Sequence, residues 1–225
     1  MIIANNILAN KLGNVYWIIG GSCGGKTTSA DILSQKYGMY HYNSDEMRLK
    51  HFKNASYIEQ PALKRYVPDM NELSVDDLKE WEVGIVREMT PMIIADLIEL
   101  SGKYEKIVYE GDIDTQSIIS LINHDRIIFL SVCDRITKRD FFNRPDHIHM
   151  IENIQNCTDI SEHEKEERIL KMRELACGVE IKPGDDIVKT PIEVSKFAVK
   201  QYIRDDNSTI DEMMAVIEKH FGLSD

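Results

Sequence analysis

Apolar positions along the chain change period several times, and each change marks an element. Residues 15–19, Val-Tyr-Trp-Ile-Ile, form an uninterrupted β-branched and aromatic run that predicts a strand. The segment from Lys26 to Tyr37 switches to helical spacing, and Met-Tyr-His-Tyr-Asn (39–43) predicts a short second strand that ends at Asp45. A helix-rich stretch covers 46–104. Within it Ser74-Val-Asp-Asp77 has the form of a capped helix start with Leu73 as its staple, and the periodic pattern continues to about Leu100. Pro91 should kink that helix or split it near Thr90, because proline lacks the N–H that a helix interior needs.

Residues 106–111 and 126–132 read as the next strands, with a crossover helix at 114–124 between them. Helical pattern follows from Arg135 to Phe142, and Ser161-Glu-His-Glu164 opens another capped helix that runs to about Cys177. The last strand and a loop around Pro183-Gly184 are expected at 179–188, followed by helices at 191–203 and 208–221. Strands that alternate with helices predict an α/β fold with a mostly parallel sheet covered by helices on both faces.

Composition narrows the function classes. The chain has 225 residues, enough for one domain or one core with insertions, and 43% apolar with 29% charged residues is ordinary for a soluble globular protein. A net charge of −11 argues against a general nucleic-acid binder. No uninterrupted apolar stretch approaches about 18 residues, so no membrane span is expected. The N-terminal residues lack a basic segment followed by a long apolar core, which argues against secretion. Cys23, Cys133, Cys157 and Cys177 form no CxxC pair and are expected to be reduced thiols of a cytoplasmic protein.

The sharpest motif is Gly20-Gly-Ser-Cys-Gly-Gly-Lys-Thr27, which is Gly-x-x-x-x-Gly-Lys-Thr placed between a predicted strand and a predicted helix. Glycines let the backbone turn tightly so that successive amides, here of Gly21, Ser22, Cys23, Gly24, Gly25, Lys26, Thr27 and Thr28, can face phosphate oxygens. In this pattern the lysine, Lys26, reaches the β- and γ-phosphates, the Thr27 hydroxyl is a Mg²⁺ ligand, and the helix start adds its positive dipole end. The expectation is a three-layer P-loop NTPase fold in a single domain, 1–225. Its core would be 1–45, 105–135 and 176–225, carrying insertions at about 46–104 for an acceptor and 136–175 as a lid.

Three uses of such a loop can be told apart. A GTPase needs Asn-Lys-x-Asp, and the Asn10-Lys11 of this chain continues Leu-Gly ahead of the first strand. A mechanical ATPase wants an apolar strand ending in Asp-Glu, and the strand here ends Glu110-Gly111-Asp112. A small-molecule kinase wants a carboxylate after strand two and arginines in a mobile lid. Asp45 follows strand two in Tyr-Asn-Ser-Asp, and Arg135, Arg139 and Arg144 populate the second insertion.

On these residues the chain resembles the shikimate-kinase-like and nucleotide-kinase-like group of P-loop kinases, which includes gluconate kinase and chloramphenicol phosphotransferase. The matching elements are the loop itself, Asn43-Ser44-Asp45 where shikimate kinases carry Asp-Ser-Asp, and Arg144-Pro145 in the lid. The departures matter too. Asn43 replaces the first aspartate, Glu110-Gly111-Asp112 stands where shikimate kinases have three glycines, and the first insertion has nucleotide-kinase length. Shikimate is therefore a poor acceptor candidate.

The resemblance implies an ATP donor with Mg²⁺ and a small-molecule acceptor phosphorylated on a hydroxyl or phosphate. It also implies that adenine is read near 182–189. A nucleoside or nucleotide kinase, or an NTP-binding regulatory protein with little turnover, would share the loop.

Each candidate residue has a plainer job to set against its chemistry. Asp45 would orient the acceptor hydroxyl and take its proton, or else cap the helix that follows. Glu110 would hold a Mg²⁺-bound water or touch substrate; Gly111 and Asp112 would line the acceptor, or Asp112 would cap the helix at 114. Arg144, then Arg139 and Arg135, would stabilise charge on the transferred group, while Arg48, Arg65 and Arg87 would grip an anionic acceptor. Cys23 is either a thiol activated by Lys26 and the loop amides or a small filler. His147, His149, Cys157 and His163 have zinc-ligand chemistry in a spacing that fits no knuckle pattern.

Overall fold

Every strand of the sheet runs in the same direction, and the strand that feeds the glycine loop lies at its centre. In the computed structural model, which describes residues 5–65, 73–144, 147–177 and 192–224, helix α1 (Asn5–Lys11) leads into β1 (Val15–Gly20) and α2 (Lys26–Tyr37). Strand β2 (Tyr40–Asn43) is followed by α3 (Ser44–Asn54), α4 (Pro61–Lys64) and α5 (Val75–Ser101). Strand β3 (Ile107–Glu110), the single-turn α6 (Thr115–Ile118) and β4 (Ile127–Val132) come next. The chain continues through α7 (Asp134–Asp140), α8 (Ile148–Gln155), α9 (Glu162–Ala176), α10 (Ile192–Lys196), β5 (Lys200–Arg204) and α11 (Ile210–His220).

The order across the sheet is β2-β3-β1-β4-β5, and all four pairings are parallel. Central strands β1, β3 and β4 are apolar on both sides because both sides are covered. On one face Ala30 and Leu33 of α2 and Met213, Met214, Ile217 and Phe221 of α11 pack on Tyr16, Ile18, Val108, Ile128 and Leu130. On the other, Ile85, Met89, Ile93 and Leu97 of α5, spaced four apart, pack on Val15, Trp17, Ile107, Tyr109 and Ile127. Each such side chain taken from water contributes about 1.5–3 kcal/mol. From the centre the chain leaves β1 toward β2 and leaves β4 toward β5, so a crevice opens above the carboxyl ends of β1 and β4.

Two expectations about elements change. Helix α5 is one continuous element through Pro91. Pro91 and Arg87, whose carbonyl loses its donor there, are both on the exposed side of the helix, where water can serve instead. The helix expected at 191–203 ends at Lys196, and a turn at Phe197 and Ala198 leads through Val199 into β5, a strand at the sheet edge. Ala198, at φ 51, breaks the helix there. Pairing of 200–204 with β4 then outweighs the helical spacing. The segment expected to hold the last strand, 179–188, lies outside the described residues, as does Pro145.

One polar cluster ties helices α3 and α5 to the sheet. The Tyr42 hydroxyl donates to Asp96 Oδ2 at 3.0 Å, Lys50 Nζ lies 3.0 Å from both Asp96 oxygens, and His51 Nε2 lies 3.0 Å from Oδ2. These residues come from β2, α3 and α5. Burial opposes ionisation of Asp96, but the bonds from Lys50, His51 and Tyr42 outweigh it and hold the carboxyl below its ordinary range. Burial, then the Asp96 charge, pushes the Tyr42 phenol far up.

A depressed folded pKa adds stability above the unfolded value that is lost as pH falls through the folded one. Asp96→Asn should therefore cost about 1.5–3 kcal/mol at neutral pH in urea denaturation. That gap should narrow as pH drops below about 4, the unfolded carboxyl value. A gap that stays constant into acid would show that the charge of Asp96 contributes nothing.

Candidate active site

The loop between β1 and α2 is built by backbone geometry rather than by side chains. Gly20 has φ 141, and a Cβ there would come within 1.8 Å of the Leu130 carbonyl oxygen, so only glycine fits between β1 and β4. The Gly21 amide donates to the same carbonyl at 3.1 Å, and the Gly24 amide to Gly21 O at 3.3 Å. Cys23 turns the loop at φ 62, a left-handed conformation that costs a non-glycine residue about 1–2 kcal/mol. Gly25, also at positive φ, starts α2 with no side-chain cap, which leaves the first amides of a 12-residue helix turned toward the loop.

Lys26 Nζ donates to the Gly20 and Gly21 carbonyls at 2.9 and 3.1 Å and lies 3.7 Å from Asp112. The Thr27 hydroxyl donates to Glu110 Oε1 at 3.1 Å. Register makes this meeting possible: Glu110, the last residue of β3, pairs with Ile18 of β1, directly under the loop. Glu110 is 2% exposed, so its charge is held in protein rather than water. Ser22 gives its carbonyl to Thr137 Oγ1 at 3.5 Å, and Thr28 is exposed in the first turn of α2.

The capping alternatives resolve cleanly. Asn43 caps α3, its side chain accepting from the amides of Asp45 and Glu46 at 2.9 and 3.2 Å, so Asp45 is not the cap. Asp114 caps α6, accepting from the Gln116 amide at 3.2 Å, so Asp112 is not that cap either. Both carboxylates are instead grouped with Glu110 and Lys26. Asp45 is exposed at the cleft mouth, yet protein crowded around its carboxyl, followed by the Asp112 charge, raises its pKa, while Lys26 opposes. Gly111, at φ 131, permits the turn that does this. A Cβ there would fall 1.8 Å from the buried Ser44 hydroxyl.

The arginines divide into two groups. Arg139 is held by Asp140 and Asp206, each at 2.6 Å, and Arg135 pairs with Asp206 at 2.9 Å. Arg144 lies close enough to Cys23 for its charge to act on the thiol. The guanidinium that reaches the loop is Arg204, which donates to Cys23 O at 2.7 Å and to Asp140 at 2.8 Å. Arg204 escaped the sequence reading because it closes β5, where a helix was expected.

His41 also escaped it, although alternation along 39–43 puts His41 and Asn43 on one face. Its Nδ1 is 3.0 Å from Asp31 and its Nε2 3.9 Å from Glu110. The Glu110 carboxylate facing Nε2, opposed by burial, raises its pKa.

The remaining candidates settle elsewhere. Arg48 pairs with Glu82 at 3.0 Å, Arg87 is exposed on α5, and Arg65 borders a cavity of about 630 Å³ beside Tyr57 and Trp81. Burial pushes the Cys23 thiol up, with Arg144 opposing, and the side chain packs on Val132, Cys133 and Ile136. Of the two readings of Cys23, this packing fits the small filler. His147 Nδ1 faces the Phe141 carbonyl and His163 pairs with Glu167. Among the described residues no three His, Cys, Asp or Glu side chains gather as a metal site would need. No helix among them is long and apolar enough to cross a membrane.

No family model matches the chain, and no curated protein is significantly similar to it.

Replacing Arg204 with Met should remove a donor from the Cys23 carbonyl and leave Asp140 paired with Arg139. We expect a loss of about 1–3 kcal/mol and faster amide exchange across 20–25. Unchanged exchange in the loop would show that Arg204 does not hold it.

Proposed function

We propose that the protein is a P-loop phosphotransferase that moves the γ-phosphoryl group of ATP, with Mg²⁺, to a hydroxyl or phosphate of a small metabolite. The observation that carries the reading is the grouping, around one glycine loop, of Lys26, Thr27 with buried Glu110, and the two uncapped carboxylates Asp45 and Asp112. The residues fit such a donor. Uncapped α2 amides and Lys26 suit phosphate oxygens, and Thr27 with Glu110 supplies the oxygen ligands that Mg²⁺ prefers. When bound, the metal neutralises charge on the phosphates.

The chain's own groups would divide the work. Lys26 balances the transferred group, and Arg144 approaches the loop from the side of Cys23. Asp45 orients the acceptor hydroxyl and takes its proton as the oxygen–phosphorus bond forms and the bond to the departing diphosphate breaks. The raised pKa of Asp45 makes it the better proton acceptor of an otherwise ordinary carboxylate type.

Lys26→Met should leave the fold intact and remove most MgATP affinity measured by calorimetry, because the charge on the β- and γ-phosphates disappears. Unchanged affinity would sink the donor-site reading.

Asp45→Asn keeps the shape of the residue and leaves the Asn43 cap untouched. It should preserve MgATP affinity and stability while acceptor phosphorylation falls by roughly 10² to 10⁴. A thermal-shift screen of metabolites with a non-hydrolysable ATP analogue supplies the acceptor. A variant with normal turnover would make Asp45 structural.

A further inference from the structure

Glu110 is the most deeply buried carboxylate of the cleft, and a buried charge needs compensation from its neighbours. Thr27 gives one hydrogen bond to Oε1. Lys26, the cation of the loop, is occupied by the Gly20 and Gly21 carbonyls and leans toward Asp112. That leaves the imidazole of His41, which stands between two carboxylates, with Asp31 at 3.0 Å from Nδ1 and Glu110 at 3.9 Å from Nε2. Nε2 is buried and has no hydrogen-bond partner at its present distance.

The fold explains the alignment. His41 pairs with Val108 and Asn43 with Glu110, so His41 and Glu110 point to the same face of the sheet. That face is covered by α2, which carries both Thr27 and, one turn on, Asp31. Four residues from three adjacent elements therefore form a line: Asp31, His41, Glu110, Thr27. Both ends of the line meet solvent, since Thr27 is exposed and the Asp31 side chain is 55% exposed, against 19% for His41 between them.

We infer that His41 is a positioning residue. Anchored on Asp31 through Nδ1, it directs Nε2 at Glu110 and fixes that carboxylate for a divalent cation held beside Thr27. The inference rests on the phosphotransferase reading and adds to it the group that orients the metal-side carboxylate. Partners of this outer kind are worth about 10- to 100-fold in metal affinity where they have been removed.

The two nitrogens can be deleted separately. His41→Gln keeps an N–H able to reach Glu110, His41→Asn keeps one toward Asp31 only, and His41→Phe keeps neither. Calorimetry gives, for each, the ratio of ATP affinity with saturating Mg²⁺ to that with EDTA. The ratio should fall about tenfold or more in the Phe and Asn variants and stay within about threefold of wild type in the Gln variant, with affinity in EDTA unchanged throughout. Asp31→Asn, at one exposed end, should lower the ratio by a smaller factor and keeps the test alive if a His41 variant does not fold.

A wild-type protein without nucleotide affinity would overturn the phosphotransferase reading and this inference with it. Metal-dependent affinity in wild type, with the same ratio in the Phe and Asn variants, or in Asp31→Asn if those do not fold, would overturn the role of His41 alone.

Discussion

The approach of the Gly20 backbone to the Leu130 carbonyl is the constraint on which the cleft depends. Two buried parallel strands bring their ends so close that no Cβ can stand between them, and the chain leaves β1 with positive φ. That turn sends the Gly20 and Gly21 carbonyls inward to Lys26. The Gly21 amide on the other edge of that peptide turns back to Leu130, and the uncapped amides that begin α2 are left toward the loop. The loop can hold this shape because its ends are fixed by apolar packing of β1 and α2 worth many kcal/mol, against which the cost of a left-handed Cys23 is small. Arg204 and Thr137 then brace it from the β4–β5 side.

Charge in the cleft follows from where the strands stop. Glu110 ends β3, Asp112 and Asp45 lie just beyond the carboxyl ends of β3 and β2, and repulsion among them is part of what raises the Asp45 pKa. A site that disfavours an added negative charge favours a cation and a proton on the same grounds. The overall charge of −11 therefore says little about the cleft.

Much of this was legible from residue order, and the parts that were not share a cause. Strands β1, β3 and β4 are apolar apart from Glu110 at the end of β3 and Ser131 in β4, and Ser74 and Ser161 carry complete capping boxes, so local pattern sufficed. Strand β5 is an edge strand with a mixed exposed and half-buried pattern, and its identity comes from pairing with β4, which no local window contains. The caps were ambiguous for a related reason. Asn43 and Asp45, or Asp112 and Asp114, are equally good capping types. Only the extended backbone of Asn43 (φ −98, ψ 117) and of Asp114 (φ −66, ψ 93) decides which one serves. His41 and Arg204 were hidden because their roles exist only once two or three strands are side by side.

That geometry also determines which part of the second insertion can move at low cost. Helix α7 buries Ile136 and Thr137 against the loop, so displacing it would expose apolar surface and strip a bond from Ser22. Helices α8 and α9 bury no residue fully. They are joined to the rest by contacts such as Lys138 to Glu174 and Lys171 to the Leu73 carbonyl, which water can replace at little cost. The change from buried to shallow packing therefore falls near Asp140, where Arg139 and Arg204 share one carboxylate, so the residue that braces the loop is also the one tied to the end of α7.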